Sequence, residues 1–355
     1  MPAAERRRLV QATLALAVVC GAALLGGLAA GSDGWSWPAG LAHDPVLRAI
    51  VFDIRLPRTL GAWLVGALLG LAGAIAQGLF RNPLADPYLL GTAAGSSLAV
   101  VAVLTAAAAL GAGSAGAPGA GVAHTAGSSD GGGLGLQALA DLGLAAAAFC
   151  GAALGMLLTL TLSRGARHTA RLLLAGVVVG VLLMAVSDVL TTAYPQALRA
   201  RQGFLLGSTG YVGWGGVVLL AAGLVLALPW AWRLARVLDA LALGEDAARS
   251  LGLDLGRLRI TLIGLMALAT GLAVSQAGLI AFVGLVAPHI VRRSVTASHR
   301  VLLAASAATG GVLLLAADLL ARTLLSPQEL PVGVLTAVLG GGYLLWLLQR
   351  SGERA

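Results

Sequence analysis

The chain has 355 residues, of which 58% are hydrophobic and 11% charged. Soluble domains carry about 25% charged and about 45–50% apolar residues, so there is too little polar surface here to cover a water-soluble globule. The net charge of +8 comes from 23 basic residues that are all arginine, and they fall in short stretches between apolar runs. An aqueous enzyme, a disordered protein and a free nucleic-acid binder are excluded, and the composition predicts an all-α polytopic membrane protein.

The apolar runs come in order. After Arg6-Arg7-Arg8, residues 9–30 make an apolar stretch of spanning length, longer than the 7–15 residues of a cleavable signal core. Nine further spans are predicted at 58–80, 90–112, 137–162, 170–193, 214–233, 258–275, 278–291, 300–320 and 331–349. The pair around Ser275-Gln276-Ala277-Gly278 is the least regular, because those residues read as a turn and the second member is short. Placing both termini in the cytoplasm puts 17 arginines on inner segments and 6 on outer ones. That is the bias the positive-inside rule expects.

Two connections stand out. Residues 111–135 are rich in Gly, Ala and Ser and are predicted to form a flexible outer loop. The inner connection 233–259 is charged, and its LALGEDAARSLGLDLGRLR stretch predicts short helices punctuated by Gly244, Gly252 and Gly256. Glu245 and Asp246 fall in the first turn of one such helix, where acidic charge complements the helix dipole.

Catalytic signatures are missing. A chain without lysine has no phosphate-binding Gly-x-x-x-x-Gly-Lys loop, and neither His-Glu-x-x-His nor Gly-x-Ser-x-Gly occurs. Cys20 and Cys150 sit in apolar segments without metal-ligand spacing, and the five histidines lie in loops or at span ends. Among the carboxylates only Asp188 and Asp318 are candidates for charge deep in the membrane, each near an outer end, and a proton relay would need deeper ones. Arg322 follows Asp318 at the i,i+4 spacing of a helical ion pair. These absences disfavour an intramembrane enzyme and an ion-driven carrier.

What remains is polar, proline-broken sequence at span ends. Arg55-Leu56-Pro57-Arg58 reads as a helix start, since proline disfavours helix at the residue before it and suits the first turn. Two guanidiniums on the outer face suggest an acidic partner. At the other end of that span, Asn82-Pro83-Leu84-Ala85-Asp86-Pro87 predicts a rigid turn with Leu84 as a constriction residue.

Six motifs follow one another in order: Arg55-Leu56-Pro57-Arg58, QGLFRNPLADPYLLG (77–91), HTARLLLAG (168–176), GEDAARSLGL (244–253), GLIAFVGLVAPHIVRR (278–293) and DLLARTLLSPQELPVGVLTAVLGG (318–341). Together they resemble the permease family of binding-protein-dependent ABC importers for iron chelates and vitamin B12, over residues 48–349. The insertion at 111–135, Ala170 in place of a small hydroxyl residue and Gly342-Tyr343 in place of Ala-Pro depart from the family pattern. The resemblance implies a single ten-helix permease domain over 1–355. It forms a homodimer with two ATPase subunits below and one periplasmic substrate-binding protein above, in lipid of the bacterial inner membrane. It implies no cofactor, metal or catalytic residue on this chain, with ATP and Mg on the partner ATPase. By position, Arg55, Arg58 and Arg322 correspond to arginines that meet the binding protein, and Asn82, Leu84 and Thr169 to the cytoplasmic gate. Gly244, Glu245, Asp246, Ala248, Arg249 and Gly252, within 241–259, correspond to the coupling helices. Residues 203–214 resemble a short outer helix over the pathway. GLFRNPLADP (78–87) is closer to haem permeases than to vitamin B12 ones, with ferric siderophores the further cargo class.

Overall fold

The structure is a computed structural model that describes residues 3–31, 34–35, 44–109, 133–163, 169–294 and 298–352. Almost everything described is helical: α1 (Ala3–Ala29), α2 (Pro45–Ala49), α3 (Leu56–Phe80), α4 (Thr92–Ala109), α5 (Gly133–Leu162), α6 (Thr169–Ala193) and α7 (Gln196–Leu206). Then follow α8 (Trp214–Ala242), α9 (Glu245–Ser250), α10 (Leu255–Ala277), α11 (Val283–Ser294), α12 (His299–Thr323) and α13 (Val332–Gly352). A π-helical stretch, Ile50–Arg55, joins α2 to α3, and Ala30–Gly31 pairs antiparallel with Gly34–Trp35.

Each predicted apolar segment falls on a helix, and the chain is an all-α polytopic membrane protein. Among the described residues, seven helical stretches are long and apolar enough to cross a membrane by length and composition. The apolar stretches of α4 and α13 are shorter. The segment predicted at 278–291 differs most. Gly278 ends α10 with φ of +68°, and α11 begins only at Val283. Its 12 residues extend about 18 Å at 1.5 Å per residue, well short of a ~30 Å hydrocarbon core. Helix α8 departs the other way: it runs to Ala242, nine residues past the predicted end. Its last turns bury Ala235, Val237, Leu238, Ala240 and Leu241. The predicted loop at 111–135 falls outside the described residues as far as 132, and α5 already begins at Gly133.

Helix α3 is the centre. From Leu64 to Phe80 every residue is buried, as expected of a helix that is apolar all round. It packs against α8, α10, α11 and α12. The seam with α12 is backbone on backbone: a Cβ on Gly66 would fall on the carbonyl of Gly310, and one on Gly70 on that of Ser306. Small residues at such seams let helices approach where lipid gives no hydrophobic drive between them. Helix α6 is the opposite case, with Leu174, Val177, Val181, Leu182 and Val189 all exposed in the single chain.

Candidate functional site

Polar side chains gather at the two ends of α3. At its start the helix does not begin at Pro57 as the sequence predicts but runs through it. Proline lacks an N–H, and its ring crowds the carbonyl four residues back in an α-helix. Here the preceding turn is π-helical, with Leu56 N–H donating to the carbonyl of Val51, five residues back. The widened turn admits the ring, and Leu56 stays helical at φ −66° and ψ −52°.

That register sets Arg55 and Arg58 one turn apart. Arg55 Nη1 donates to the carbonyls of Leu28 and Ala29, at 3.1 and 3.4 Å. Arg58 donates through Nε and Nη2 to Asp318 Oδ1, at 3.3 and 3.2 Å, and through Nη1 to Glu329 at 2.9 Å. Asp318 is fully buried and also accepts from Thr209 Oγ1 at 2.6 Å and from Arg322 Nη2. Arg322 Nη1 reaches the carbonyl of Gly27 at 3.2 Å. The i,i+4 pairing of Asp318 and Arg322 is as the sequence predicts. Arg322 itself is 1% exposed and turned into the bundle. Asp188 likewise pairs with a nearby arginine, Arg201, at 2.6 Å. Of the short helix implied at 203–214 only 203–206 are helical, as the end of α7, which starts at Gln196; Gly207 turns the chain with φ of +64° and 207–213 are not helical.

At the far end of α3, Arg81 takes a left-handed conformation, φ +50°, and Asn82 N–H closes the helix on the Gln77 carbonyl at 3.2 Å. Asn82 Oδ1 then accepts from Leu84 N–H at 2.9 Å, holding the turn with Leu84 half exposed. Asp86 caps a 3-10 turn, Pro87–Leu90, through Tyr88 N–H at 2.8 Å. Burial pushes the Asp86 carboxyl up to about 6, against the smaller opposing effect of that N–H. Thr169 opens α6, and its side chain falls outside the described residues.

Beside this turn lies α9, bracketed by Gly244 and Gly252 at φ +115° and +76°, a region side chains rarely enter. Arg259 Nη2 donates to Glu245 Oε1 at 2.6 Å, and Arg249 reaches Glu245 at 3.4 Å and Asp246 at 3.5 Å. The Arg259 hydrogen bond holds the Glu245 carboxyl below its ordinary range, with burial opposing and the charges of Arg259, Arg249 and Arg81 adding. Asp246 is fully exposed. Ala248 is not on that surface: it is fully buried, in one core with Leu241 and Leu255. The outward residues are Leu243 and Leu251, 75% and 65% exposed. Sequence reasoning passed over both, although an apolar residue beside each bracketing glycine of a charged loop was a usable signal. It also missed Asp239, which accepts from His299 N–H at 3.0 Å and meets His299 Nδ1 at 2.7 Å. The α8 carboxylate thereby caps α12, whose own Ser298 makes no side-chain cap.

The arrangement is two polar ends joined by an apolar shaft. The family model of the FecCD transport family matches residues 13–350. The hemin transport system permease HmuU of Yersinia pestis is 40% identical over 308 residues, covering 86% of this chain and 84% of that one. The vitamin B12 import system permease BtuC of an Escherichia coli O6:H1 strain is 37% identical over 350 residues, 98% of each. Among solved structures, an ABC transporter assigned to the metal-chelate type, in an inward-facing conformation, superposes with a TM-score of 0.79. It is 26% identical and covers 95% of this chain and 98% of its own. On these matches the chain belongs to the FecCD transport family.

Proposed function

We propose that this permease imports an iron chelate, haem before ferric siderophore, across the bacterial inner membrane. In this reading two copies enclose the path, ten segments cross with both termini cytoplasmic, and two ATPase chains bind ATP and Mg at the Glu245 end. A single periplasmic binding protein docks at the Asp318 end. The observation that carries the energy-coupling part is α9: a short helix held between two positive-φ glycines, offering Leu243, Asp246, Arg249 and Leu251 outward. A chain without a phosphate-binding loop must receive its drive through such a surface. The 40% identity to the hemin permease supports the cargo. Vitamin B12 is the second reading, favoured by a match of 37% over 98% of both chains.

The family resemblance suggests the residue roles, and the geometry supports them. Arg55 and Arg58 are assigned to binding-protein docking, with the half-exposed Glu329 holding Arg58 until an acidic partner replaces it. Arg322 braces Asp318 from within. Asn82, Leu84 and Thr169 form the inner gate, Gly244 and Gly252 frame the coupling helix, and Ala248 anchors it.

The test is uptake into proteoliposomes that contain the permease, its ATPase and its binding protein. ATP-driven accumulation of haemin is expected, with cyanocobalamin left outside. Uptake of cyanocobalamin without haemin would overturn the cargo assignment. In the same vesicles Leu84→Ala should let preloaded cargo leak without ATP, and a leak no greater than that of the unaltered protein would remove Leu84 from the gate.

A further inference from the structure

Helices α11, α12 and α13 line a cavity of about 210 Å³ that is open on one side. Its walls are apolar, from Val286 and Ile290 on α11, Leu313 on α12, and Thr336, Leu339 and Tyr343 on α13. Leu339 stands at the rim, 54% exposed. An apolar cavity of about 150 Å³ stays dry and takes up benzene, so this one has room for hydrocarbon and no chemistry for water.

A polar ladder leads away from the cavity in one direction. His289 packs edge-on against Tyr343 with ring centres 5.8 Å apart, and Tyr343 meets Trp346 at 6.0 Å. The Arg350 guanidinium lies 4.4 Å over the Trp346 ring. Residues 343, 346 and 350 share one face of α13, and seven residues at 1.5 Å carry that face about 10 Å past the cavity. On α11, Arg293 follows Ile290 at i+3, with Arg292 beside it, and both are exposed. Both helices end on the same side of the bundle, because α12 returns the chain across it between them. Neither α11 nor α13 carries an acidic residue. His289 Nε2 is buried at this junction with no hydrogen-bond partner among the described residues.

A ligand that fits must be hydrocarbon at one end and anionic about 5–10 Å further along. Tyr and Trp belong at headgroup level, and arginine binds phosphate through paired N–H groups. Basic pockets between membrane helices on the cytoplasmic side take anionic headgroups. We infer that this groove binds one anionic phospholipid, with an acyl chain in the cavity and its phosphate held by Arg292, Arg293 and Arg350. The inference is independent of which cargo the permease carries.

The full-length permease, purified in detergent, is given phosphatidylglycerol or phosphatidylcholine of identical acyl chains and examined by native mass spectrometry. Phosphatidylglycerol should be retained over phosphatidylcholine by about fivefold or more, the effect of at least one arginine near a headgroup. The combined variant Arg292→Gln, Arg293→Gln and Arg350→Gln should abolish that preference while both lipids still bind weakly. Leu339→Trp, which fills the groove from its open side, should reduce retention of both. Equal retention of the two lipids by the unaltered protein would overturn the inference, as would a preference that survives the triple variant. Displacement of the lipid by millimolar inorganic phosphate would reduce the site to an anion site and overturn it too. If Leu339→Trp leaves lipid retention intact and shifts the balance of monomer and dimer, the groove is a seam between two copies and holds no lipid.

Discussion

The two ends of α3 carry charge in opposite ways. Around Asp318 the ions are buried and over-committed: one carboxylate serves Arg58, Arg322 and Thr209, with 0% of it exposed. Around Glu245 the charge is mixed: the Arg259 pair is covered, with the arginine side chain 5% exposed, while the pairs of Arg249 lie at the surface, where Asp246 is fully exposed and Arg249 is 61% exposed. Ions taken out of water give a geometry that is costly to disturb, whereas surface pairs contribute about 0–1 kcal/mol and yield to salt. The Asp318 cluster is therefore built to stay assembled, and the outward Asp246 and Arg249 to exchange partners.

The largest effect should come from Asp318→Ala. It leaves two arginines in the bundle with only part of their partners, and losing one member of a buried pair costs about 3–5 kcal/mol. Thermal unfolding of the detergent-solubilised permease should show it, and a melting temperature equal to that of the unaltered protein would erase the contrast. Next comes Asp86, a partly buried carboxyl at the otherwise exposed end. Its native pKa of about 6 lies above the ordinary 3.8, so the native state binds the extra proton. Stability should fall as pH rises from about 4 to about 6 and level off above, by roughly 2–3 kcal/mol for a shift of that size. Asp86→Asn keeps the cap on Tyr88 and should remove this dependence, and a pH profile that the substitution leaves unchanged would refute the assignment.

The smallest stability effect is expected at Glu245. Arg259 holds its carboxyl below the ordinary range, so its contribution is complete above about pH 4.5 and is lost as pH falls through the lowered value. Glu245→Gln at neutral pH keeps an acceptor for the covered Arg259 and should cost about 1 kcal/mol, the difference between a charged and a neutral hydrogen bond. Leu251→Asp, on the exposed side of the same loop, should leave stability unaltered and reduce co-purification of the ATPase. Full retention of the ATPase would place its contact elsewhere.

Much of this is legible in the sequence. The apolar segments announce themselves because a lipid-embedded helix needs a run of about 20 residues, and proline and glycine mark their ends. The α9 brackets were legible for the same reason, since Gly244 and Gly252 can hold backbone angles that few residues adopt. Facing was not. A helix of six residues shows no period long enough to say that Ala248 points inward. Likewise nothing near Arg322 in the chain reveals Gly27, almost 300 residues earlier, as its second partner. The π-turn before Pro57 was hidden because proline at a helix start and proline inside a continuous helix share the same local sequence. Asp239 and His299 lie 60 residues apart, and only the packing of α8 against α12 brings them together.

The glycine seam between α3 and α12 has one more consequence. A contact made by side chains can absorb a displacement by changing rotamers, one residue at a time. Gly66, Gly70 and Gly310 have no rotamers to change, and forming their contact costs no side-chain entropy. Such a seam has no intermediate settings: the two backbones stay in register, slide by a repeat, or part altogether. Helices α3 and α12 thus form a rigid frame, and motion during a transport cycle must be sought in the helices whose outer faces this frame does not hold, α6 foremost.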